Sequence, residues 1–137
     1  MSLRLLFVDD DPDIRTIVEL ALGLDPTIEL RVAASADEAL NALAETQPDA
    51  ALLDVSMPDI DGPALLAALH DRRPGLPVIF MTAHGRERDV AALRAIGARG
   101  VIVKPFDPLS LSAQIRALLS GGASPPAARS RRRAGAR

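Results

Sequence analysis

The sequence predicts an α/β fold in which helices cover both faces of one parallel, doubly wound sheet of five strands. Five short β-prone segments alternate along the chain with five segments of helical periodicity. Most of the β-prone segments are apolar throughout, which is typical of parallel strands buried on both faces. Because β–α–β crossovers are right-handed, such a chain places its helices on both sides of the sheet.

Each predicted element has its own local signal. Pro12 suits the first turn of a helix that Gly23 ends, and Ser35 with Glu38 forms a capping box at the start of the next helix. Asp107 is expected to cap the last helix. The predicted strands cover residues 3–8, 28–33, 50–53, 77–81 and 100–103, and the other predicted helices cover residues 63–70, 86–96 and 108–119.

Composition excludes several classes of protein. The chain has 137 residues, of which 48% are apolar and 25% charged, and this is typical of one globular domain. It contains no cysteine, so a disulfide scaffold, a thiol nucleophile and a cysteine-ligated metal site are excluded. No apolar segment reaches the about 18 residues that span a membrane, and the first residues do not resemble a signal peptide. We therefore expect a cytoplasmic protein without membrane contact.

Charge is unevenly distributed along the chain. The net charge is −2, but residues 120–137 contain five arginines and no acid, which leaves 11 basic against 18 acidic residues, or −7, in residues 1–119. We expect one domain over residues 1–120 and a disordered tail over residues 121–137. The tail is interpreted as an unstructured end, an interdomain linker or a basic arm for nucleic acid or membrane. The acidic domain itself is not expected to bind nucleic acid.

Polar side chains stand at the ends of four predicted strands. Asp9–Asp11 follow the first strand, Asp54 the third and Thr82 the fourth, while Lys104 follows the fifth. In a doubly wound sheet these strands are neighbours and ligands bind beyond their carboxyl ends, so we expect the side chains to converge. Taken singly, Asp11 is also explained as a helix cap and Thr82 as an ordinary strand end.

Such a cluster has a predictable electrostatic requirement. Carboxylates held close together repel one another unless a cation is present, and an all-oxygen site is what Mg²⁺ prefers. Lys104 is the only lysine among 16 basic residues. Its compact ammonium fits between carboxylate and phosphoryl oxygens better than the planar fork of an arginine. A solvated surface lysine is the alternative interpretation.

Four segments carry a resemblance to a known family. They are Phe-Val-Asp-Asp ending at Asp10, the run Val-Ser-Met-Pro-Asp-Ile-Asp-Gly after Asp54, Met-Thr-Ala around Thr82 and Val-Lys-Pro-Phe around Lys104. Together they resemble the receiver domain of two-component response regulators, over residues 3–120. The resemblance implies a flavodoxin-like strand order, 2-1-3-4-5, and a single-domain regulator similar to those of chemotaxis.

The resemblance also implies a phosphoryl acceptor and a metal site. Asp54 would accept a phosphoryl group from a sensor histidine kinase or a histidine phosphotransfer protein. Asp10, Asp54 and the backbone carbonyl of Ser56 would hold Mg²⁺, with Asp9 acting largely through a water molecule. A carboxylate can act as a nucleophile toward phosphorus, so the chemistry is physically consistent with these residues.

Two further roles follow from the same resemblance. Thr82 and Lys104 would bind the phosphoryl oxygens, and the bond between Lys104 and Pro105 would be cis. Positive charge removes the repulsion between two anions, and no general base is required because the attacking carboxylate already lacks its proton. We therefore expect no enzymatic activity beyond self-phosphotransfer and autodephosphorylation.

The chain departs from the family pattern at one switching position. Val101 stands where the family often has Tyr or Phe, a ring that rotates inward when the nearby Thr82 engages phosphate. Switching through ring burial is therefore not expected here. Ser56 and His84 occupy positions that tune dephosphorylation in the family, although an exposed loop histidine is an equally simple interpretation of His84.

Three other interpretations stay open. A haloacid-dehalogenase-like phosphatase would use Asp9 as nucleophile and Asp11 as acid and base, but only Asp107 follows Lys104 as a further acid. A nucleotide-binding domain would have a Gly- or Ser/Thr-rich loop after the first strand, where this chain has three acids. A degenerate receiver would act as a phosphorylation-independent interaction module.

The sequence therefore predicts a phosphorelay response regulator, in which phosphorylation shifts an equilibrium between two surfaces. The expected partners are a histidine kinase or phosphotransfer protein and a downstream protein target, and the expected state is a monomer or weak dimer. The expected readout face consists of the helix over residues 86–96, the strand over 100–103 and the helix over 108–119.

Overall fold

The computed structural model describes residues 2–58 and 60–121, in which five parallel strands form one sheet with five helices. The strands are β1 (Leu3–Val8), β2 (Ile28–Ala33), β3 (Ala50–Asp54), β4 (Val78–Thr82) and β5 (Gly100–Val103). The helices are α1 (Pro12–Leu22), α2 (Ala36–Thr46), α3 (Gly62–Arg72), α4 (Glu87–Ala95) and α5 (Leu111–Gly121). The strand order is β2-β1-β3-β4-β5, so the predicted doubly wound fold is confirmed.

Two apolar cores lie on opposite faces of the sheet because successive side chains of a strand point to opposite faces. Leu6 and Val8 of β1 belong to a core that includes buried residues of α2, α3 and α4. Leu5 and Phe7 of the same strand belong to the other core, with buried residues of α1 and α5. The helices are therefore divided three and two between the faces.

The register of the sheet brings the carboxyl ends of its strands to one edge. Val8 lies beside Leu53, and Asp54 lies beside Met81 on the next strand. Thr82 in turn lies beside Val103, the last residue of β5. The residues that follow these strands therefore emerge at the same level of the sheet, as the predicted convergence requires.

The last helix begins three residues later than predicted. Residues 108–110 form a turn, and α5 begins at Leu111. The side chain of Asp107 accepts a hydrogen bond from Leu109 N–H at 3.0 Å, and its carbonyl accepts one from Ser110 N–H at 3.1 Å. Asp107 therefore stabilises the turn that precedes the helix rather than the helix itself.

Strands β1, β2 and β5 have the predicted bounds, and the other boundaries that differ do so by one or two residues. Asp54 belongs to β3, and β4 runs from Val78 to Thr82 rather than from Pro77. Pro77 accepts a hydrogen bond from Ala51 N–H at 2.9 Å but has no N–H with which to continue the ladder. Helix α3 is longer than predicted at both ends, and α4 is shorter by one residue at each end.

The predicted capping box of α2 forms with a shifted second contact. Ser35 Oγ accepts a hydrogen bond from Glu38 N–H at 3.2 Å, as expected for an N-cap. The carboxylate of Glu38 accepts from Ala34 N–H at 2.9 Å, one residue before the N-cap. The two side chains therefore still accept hydrogen bonds from backbone N–H groups at the start of the helix.

Beyond α5, residues 122–137 lie outside the described residues. The predicted disordered tail and its boundary with the domain therefore stay predictions. Within residues 2–58 and 60–121, none of the helices combines the length and the apolar character needed to cross a membrane.

Candidate functional site

The turn between β1 and α1 carries two of the predicted metal ligands. Asp9 is buried, at 1% exposure, whereas Asp10 is exposed. Asp9 N–H donates to the carbonyl of Ala33 at 3.1 Å, and Asp9 Oδ1 accepts from Asp11 N–H at 2.9 Å. The Asp9 carboxyl is thus held at the edge of the sheet, and the Asp10 carboxyl is open to solvent.

Asp11 has a structural role. Its Oδ1 accepts a hydrogen bond from Asp13 N–H at 2.9 Å, and it is the N-cap of α1, directly before Pro12. The interpretation of Asp11 as a helix cap is therefore confirmed, and the structure separates its role from those of Asp9 and Asp10.

Three carboxyl groups converge where β1 and β3 end. Asp9, Asp10 and Asp54 each offer an oxygen, and these oxygens all lie within 4.8 Å of one another. Asp54 is itself buried, at 7% exposure. Among the described residues no donor forms a hydrogen bond to the buried Asp9 Oδ2, whose charged neighbour is Lys104 Nζ at 3.5 Å, so this oxygen still has lone pairs for a cation. Hard carboxylate oxygens in this arrangement fit a divalent cation such as Mg²⁺.

Lys104 reaches into this acidic cluster from the end of β5. Its Nζ lies 3.1 Å from Asp54 Oδ1 and 3.5 Å from Asp9 Oδ2. Burial alone lowers the pKa of Lys104, but the hydrogen bond to Asp54 and the charges of both acids outweigh it, so the pKa is raised overall. Lys104 is therefore held as a cation, and its interpretation as a solvated surface lysine is wrong.

The cluster keeps an excess of negative charge. Burial raises the pKa of Asp9, and the neighbouring charge of Asp54 adds to this effect. The hydrogen bond from Asp11 and the ammonium of Lys104 act in the opposite direction. Three carboxyl groups converge here, and one ammonium pairs with two of them, so a bound cation would balance the remaining negative charge.

Thr82 is the last residue of β4, next to the residue that pairs with Asp54. It is buried, at 6% exposure, and its Oγ1 accepts a hydrogen bond from His84 N–H at 3.0 Å. Its carbonyl accepts from Lys104 N–H at 2.8 Å. This contact ties the ends of β4 and β5 together, and the hydroxyl proton of Thr82 can still be donated to an anion.

The loops around the cluster place the remaining predicted residues. Ser56 and His84 are exposed in the loops that follow β3 and β4. Val101 packs, partly buried, against the core formed with α2, α3 and α4. The peptide bond between Lys104 and Pro105 is cis, as the resemblance implied.

Gly62 closes the loop after Asp54 for a steric reason. A Cβ atom at this position would lie 2.7 Å from Phe80 Cε1 and 2.9 Å from Val55 Cα. Gly62 N–H also donates to the carbonyl of Val55 at 2.7 Å. The glycine of the Asp54 motif therefore lets the start of α3 pack directly against the strand ends.

Two features near the site are not evident from the sequence. Arg15 of α1 donates from Nη1 to the carbonyl of Asp9 at 2.8 Å, and no pattern in the sequence marks this contact. An apolar depression of about 380 Å³ adjoins Lys104. It is lined by Ile14, Ile17, Ala83, Lys104, Pro105, Phe106 and Pro108.

Comparisons with known proteins agree with this geometry. Residues 5–116 match the response regulator receiver domain. The chain belongs to this family, whose members are the phosphoryl-accepting signalling modules of two-component systems, and the predicted family assignment is confirmed. Their acidic pocket typically holds Mg²⁺, with which the cluster of Asp9, Asp10 and Asp54 is compatible.

Individual relatives and solved structures are similar to most of this chain. The transcriptional regulatory protein PrrA of Mycobacterium leprae is 38% identical over 118 residues, which are 86% of this chain and 50% of PrrA. Among solved structures, the chemotaxis response regulator CheY4 of Vibrio cholerae has a TM-score of 0.77 at 28% identity, covering 86% of this chain and 99% of CheY4. A putative response regulator of Chloroflexus aurantiacus has a TM-score of 0.77 at 34% identity, covering 88% of this chain and 99% of that one. The chain spans about half the length of the first curated relatives it matches.

Proposed function

We propose that the chain is a phosphorelay response regulator that accepts a phosphoryl group on Asp54 and thereby changes its affinity for a protein partner. The observation that carries this proposal is the position of Lys104 Nζ, 3.1 Å from the Asp54 carboxylate inside a cluster of three acids. A structural ion pair alone needs only one acid. Two further carboxyl groups beside it suit a site built to handle a metal ion and a phosphoryl group.

In the proposed reaction a carboxylate oxygen of Asp54 forms a bond to phosphorus while the bond from phosphorus to the donor breaks. With a phosphohistidine donor, the imidazole nitrogen keeps the electron pair of the broken bond and takes a proton from solvent. Lys104 neutralises negative charge on the phosphoryl oxygens, and Thr82 donates its hydroxyl proton to one of them. Mg²⁺ held by Asp9, Asp10, Asp54 and the carbonyl of Ser56 would supply additional positive charge to the same oxygens.

We place the docking site of the phosphoryl donor on the apolar depression beside Lys104. This residue lines both the depression and the acidic cluster, so a protein seated on the depression reaches Asp54 directly. Ile17 lines the depression from α1, and Leu20 of the same helix and Leu24 just beyond it are further exposed apolar side chains; each of the three is at least 40% exposed. A histidine-bearing segment of a kinase or phosphotransfer protein is the occupant that this continuity favours.

Acetyl phosphate tests the acceptor without any protein partner. The chain is incubated with acetyl phosphate and Mg²⁺, and the intact mass is measured. We expect one added phosphoryl group on the wild type and none on Asp54→Asn. Absence of added mass on the wild type would favour a phosphorylation-independent interaction module, and mass retained on Asp54→Asn would indicate another nucleophile, such as Asp9 in the phosphatase interpretation.

A matched pair of isoleucines tests the docking site. Ile17 is 40% exposed and lines the depression, whereas Ile96 is 45% exposed near the end of α4. With a histidine kinase that phosphorylates the wild type, Ile17→Asp should lower the rate of transfer by about tenfold or more, and Ile96→Asp should leave the rate nearly unchanged. Phosphorylation by acetyl phosphate should be the same for both variants. Equal losses with the kinase would contradict the proposed surface.

A further inference from the structure

We propose that Arg15 is a positioning residue for the cation site, acting through the peptide unit that joins Asp9 to Asp10. Its Nη1 donates to the carbonyl of Asp9 at 2.8 Å across the turn between β1 and α1. The inference rests on the proposed function only for the identity of the cation as Mg²⁺. The position of the guanidinium against the turn is a feature of the fold itself.

The carbonyl of Asp9 needs a partner because it is buried at the end of a strand. Asp9 is 1% exposed, and its N–H makes the last contact of β1 with β2, to Ala33. A buried carbonyl without a hydrogen-bond donor is unfavourable, and native structures nearly always provide one. Arg15 reaches back from the first turns of α1 to provide that donor.

This contact controls the backbone from which Asp10 projects. The carbonyl of Asp9 and the N–H of Asp10 belong to one planar peptide unit, so a donor on the carbonyl sets the orientation of the whole unit. The next peptide unit is held by Asp11 N–H, which donates to Asp9 Oδ1 at 2.9 Å. Both peptide units that flank Asp10 are therefore held, although Asp10 itself is exposed.

The guanidinium leaves the carboxylates of the cluster free. Within residues 2–58 and 60–121, no carboxylate oxygen lies within 4.0 Å of a nitrogen of Arg15. Removing its positive charge would by itself strengthen binding of a cation nearby. Loss of the backbone contact would weaken binding, because contacts that orient metal ligands are worth about tenfold or more in affinity. The two effects have opposite signs, which makes the proposal testable.

Calorimetric titration of Mg²⁺ into the full chain, without a phosphoryl donor, measures the effect directly. We expect Arg15→Met to weaken Mg²⁺ binding by about tenfold. Arg15→Lys keeps one donor and should recover most of this loss. Arg99→Met is the matched control, because Arg99 Nη1 makes the same kind of contact, 2.8 Å from the carbonyl of Leu119, at a site remote from the acids. It should bind Mg²⁺ like the wild type.

Three outcomes would overturn the proposal: unchanged or tighter Mg²⁺ binding by Arg15→Met, an equal loss in Arg99→Met, or no recovery in Arg15→Lys. Thermal unfolding establishes that each variant is folded. If Arg15→Met does not fold, Arg15→Lys takes its place in the test, and it must then bind Mg²⁺ measurably more weakly than the wild type. With acetyl phosphate, the rate at saturating Mg²⁺ should be close to that of the wild type, while the Mg²⁺ concentration for half-maximal rate rises. A wild type that binds Mg²⁺ but gains no phosphoryl group would refute the proposed function and leave the role of Arg15 intact.

Discussion

Helices α1 and α4 follow the strands that carry the site, but they are attached to the sheet in different ways. Helix α1 begins with Asp11 as a hydrogen-bonded cap and Pro12 in its first turn, and it buries Val18, Ala21 and Leu22. Helix α4 has Arg86 at its N-cap without a side-chain cap, and Leu93 is its one buried residue.

The difference divides the site into two parts. The acids of β1 and the start of α1 are held by caps, core contacts and the hydrogen bond from Arg15, which suits a site that must present ligands in a fixed geometry. Thr82 is buried, but the loop that follows it is exposed and α4 buries only Leu93, and regions with few buried contacts open at low free energy. Under the proposed function, we therefore expect a change at Asp54 to reach the surface more easily through α4 than through α1.

The largest expected effect on stability comes from truncating one core leucine in each helix, which tests this comparison directly. Leu22 is 1% exposed and Leu93 is 9% exposed. We expect Leu22→Ala to lower the free energy of unfolding by about 3 kcal/mol and Leu93→Ala by about 2 kcal/mol. Urea denaturation measures both values, and a larger loss at Leu93 would contradict the difference between the helices.

Substitutions at the two helix caps should change the free energy of unfolding by less than the leucine truncations, and in opposite directions. Asp11→Ala removes the hydrogen bond to Asp13 N–H and should lower the free energy of unfolding by about 1 kcal/mol. Arg86→Ser adds a capping hydroxyl to α4 and removes only an exposed ion pair with Asp89, so it should stabilise the chain slightly. If thermal unfolding shows that Arg86→Ser is destabilising, the stability of α4 is not limited by its missing side-chain cap.

The smallest expected effect concerns the contact between α5 and the loop after α1. Hydrogen bonds from Thr27 lower the pKa of Asp25, and Arg116 lowers it further. An acid whose pKa is lowered by folding stabilises the protein above its usual pKa and loses this contribution as the pH falls below that value. The stability difference between wild type and Thr27→Val should therefore shrink below pH 3.8, the usual value.

Arg116→Gln serves as the comparison for that experiment, because Arg116 makes a weaker contribution than Thr27. Its pH-dependent change should be the smaller of the two. A difference that grows as the pH falls would show that the Asp25 carboxyl is not stabilised in its charged form.

Much of the fold follows from local patterns. The strands over residues 3–8, 28–33 and 100–103 have the predicted bounds, because short runs of β-prone residues with turn- or cap-forming residues (Asp, Ser, Gly or Pro) at or near their ends are local signals. The predicted start of α5 at residue 108 was wrong, because Asp107 and Pro108 are equally suited to a helix start and to the turn that they form. The convergence of the acids and Lys104 was predictable, since parallel strands share one carboxyl edge.

Other features depend on neighbours that are distant in the sequence. The contact between Arg15 and the Asp9 carbonyl has no sequence signal, because arginines in a helix usually face solvent. The apolar depression combines α1 with the loops after β4 and β5, and an exposed isoleucine on a helix is by itself unremarkable.

The sequence alone determined the alternation of strands and helices and the residue types at the strand ends, because both are set by short-range periodicity and by backbone preferences. The tertiary structure decided that Asp9 and Asp54 are buried and pair with Lys104, and that Asp10 stays open to solvent. Burial and charge pairing depend on the elements that pack around a residue, and residues 9, 54 and 104 meet only after the sheet has formed.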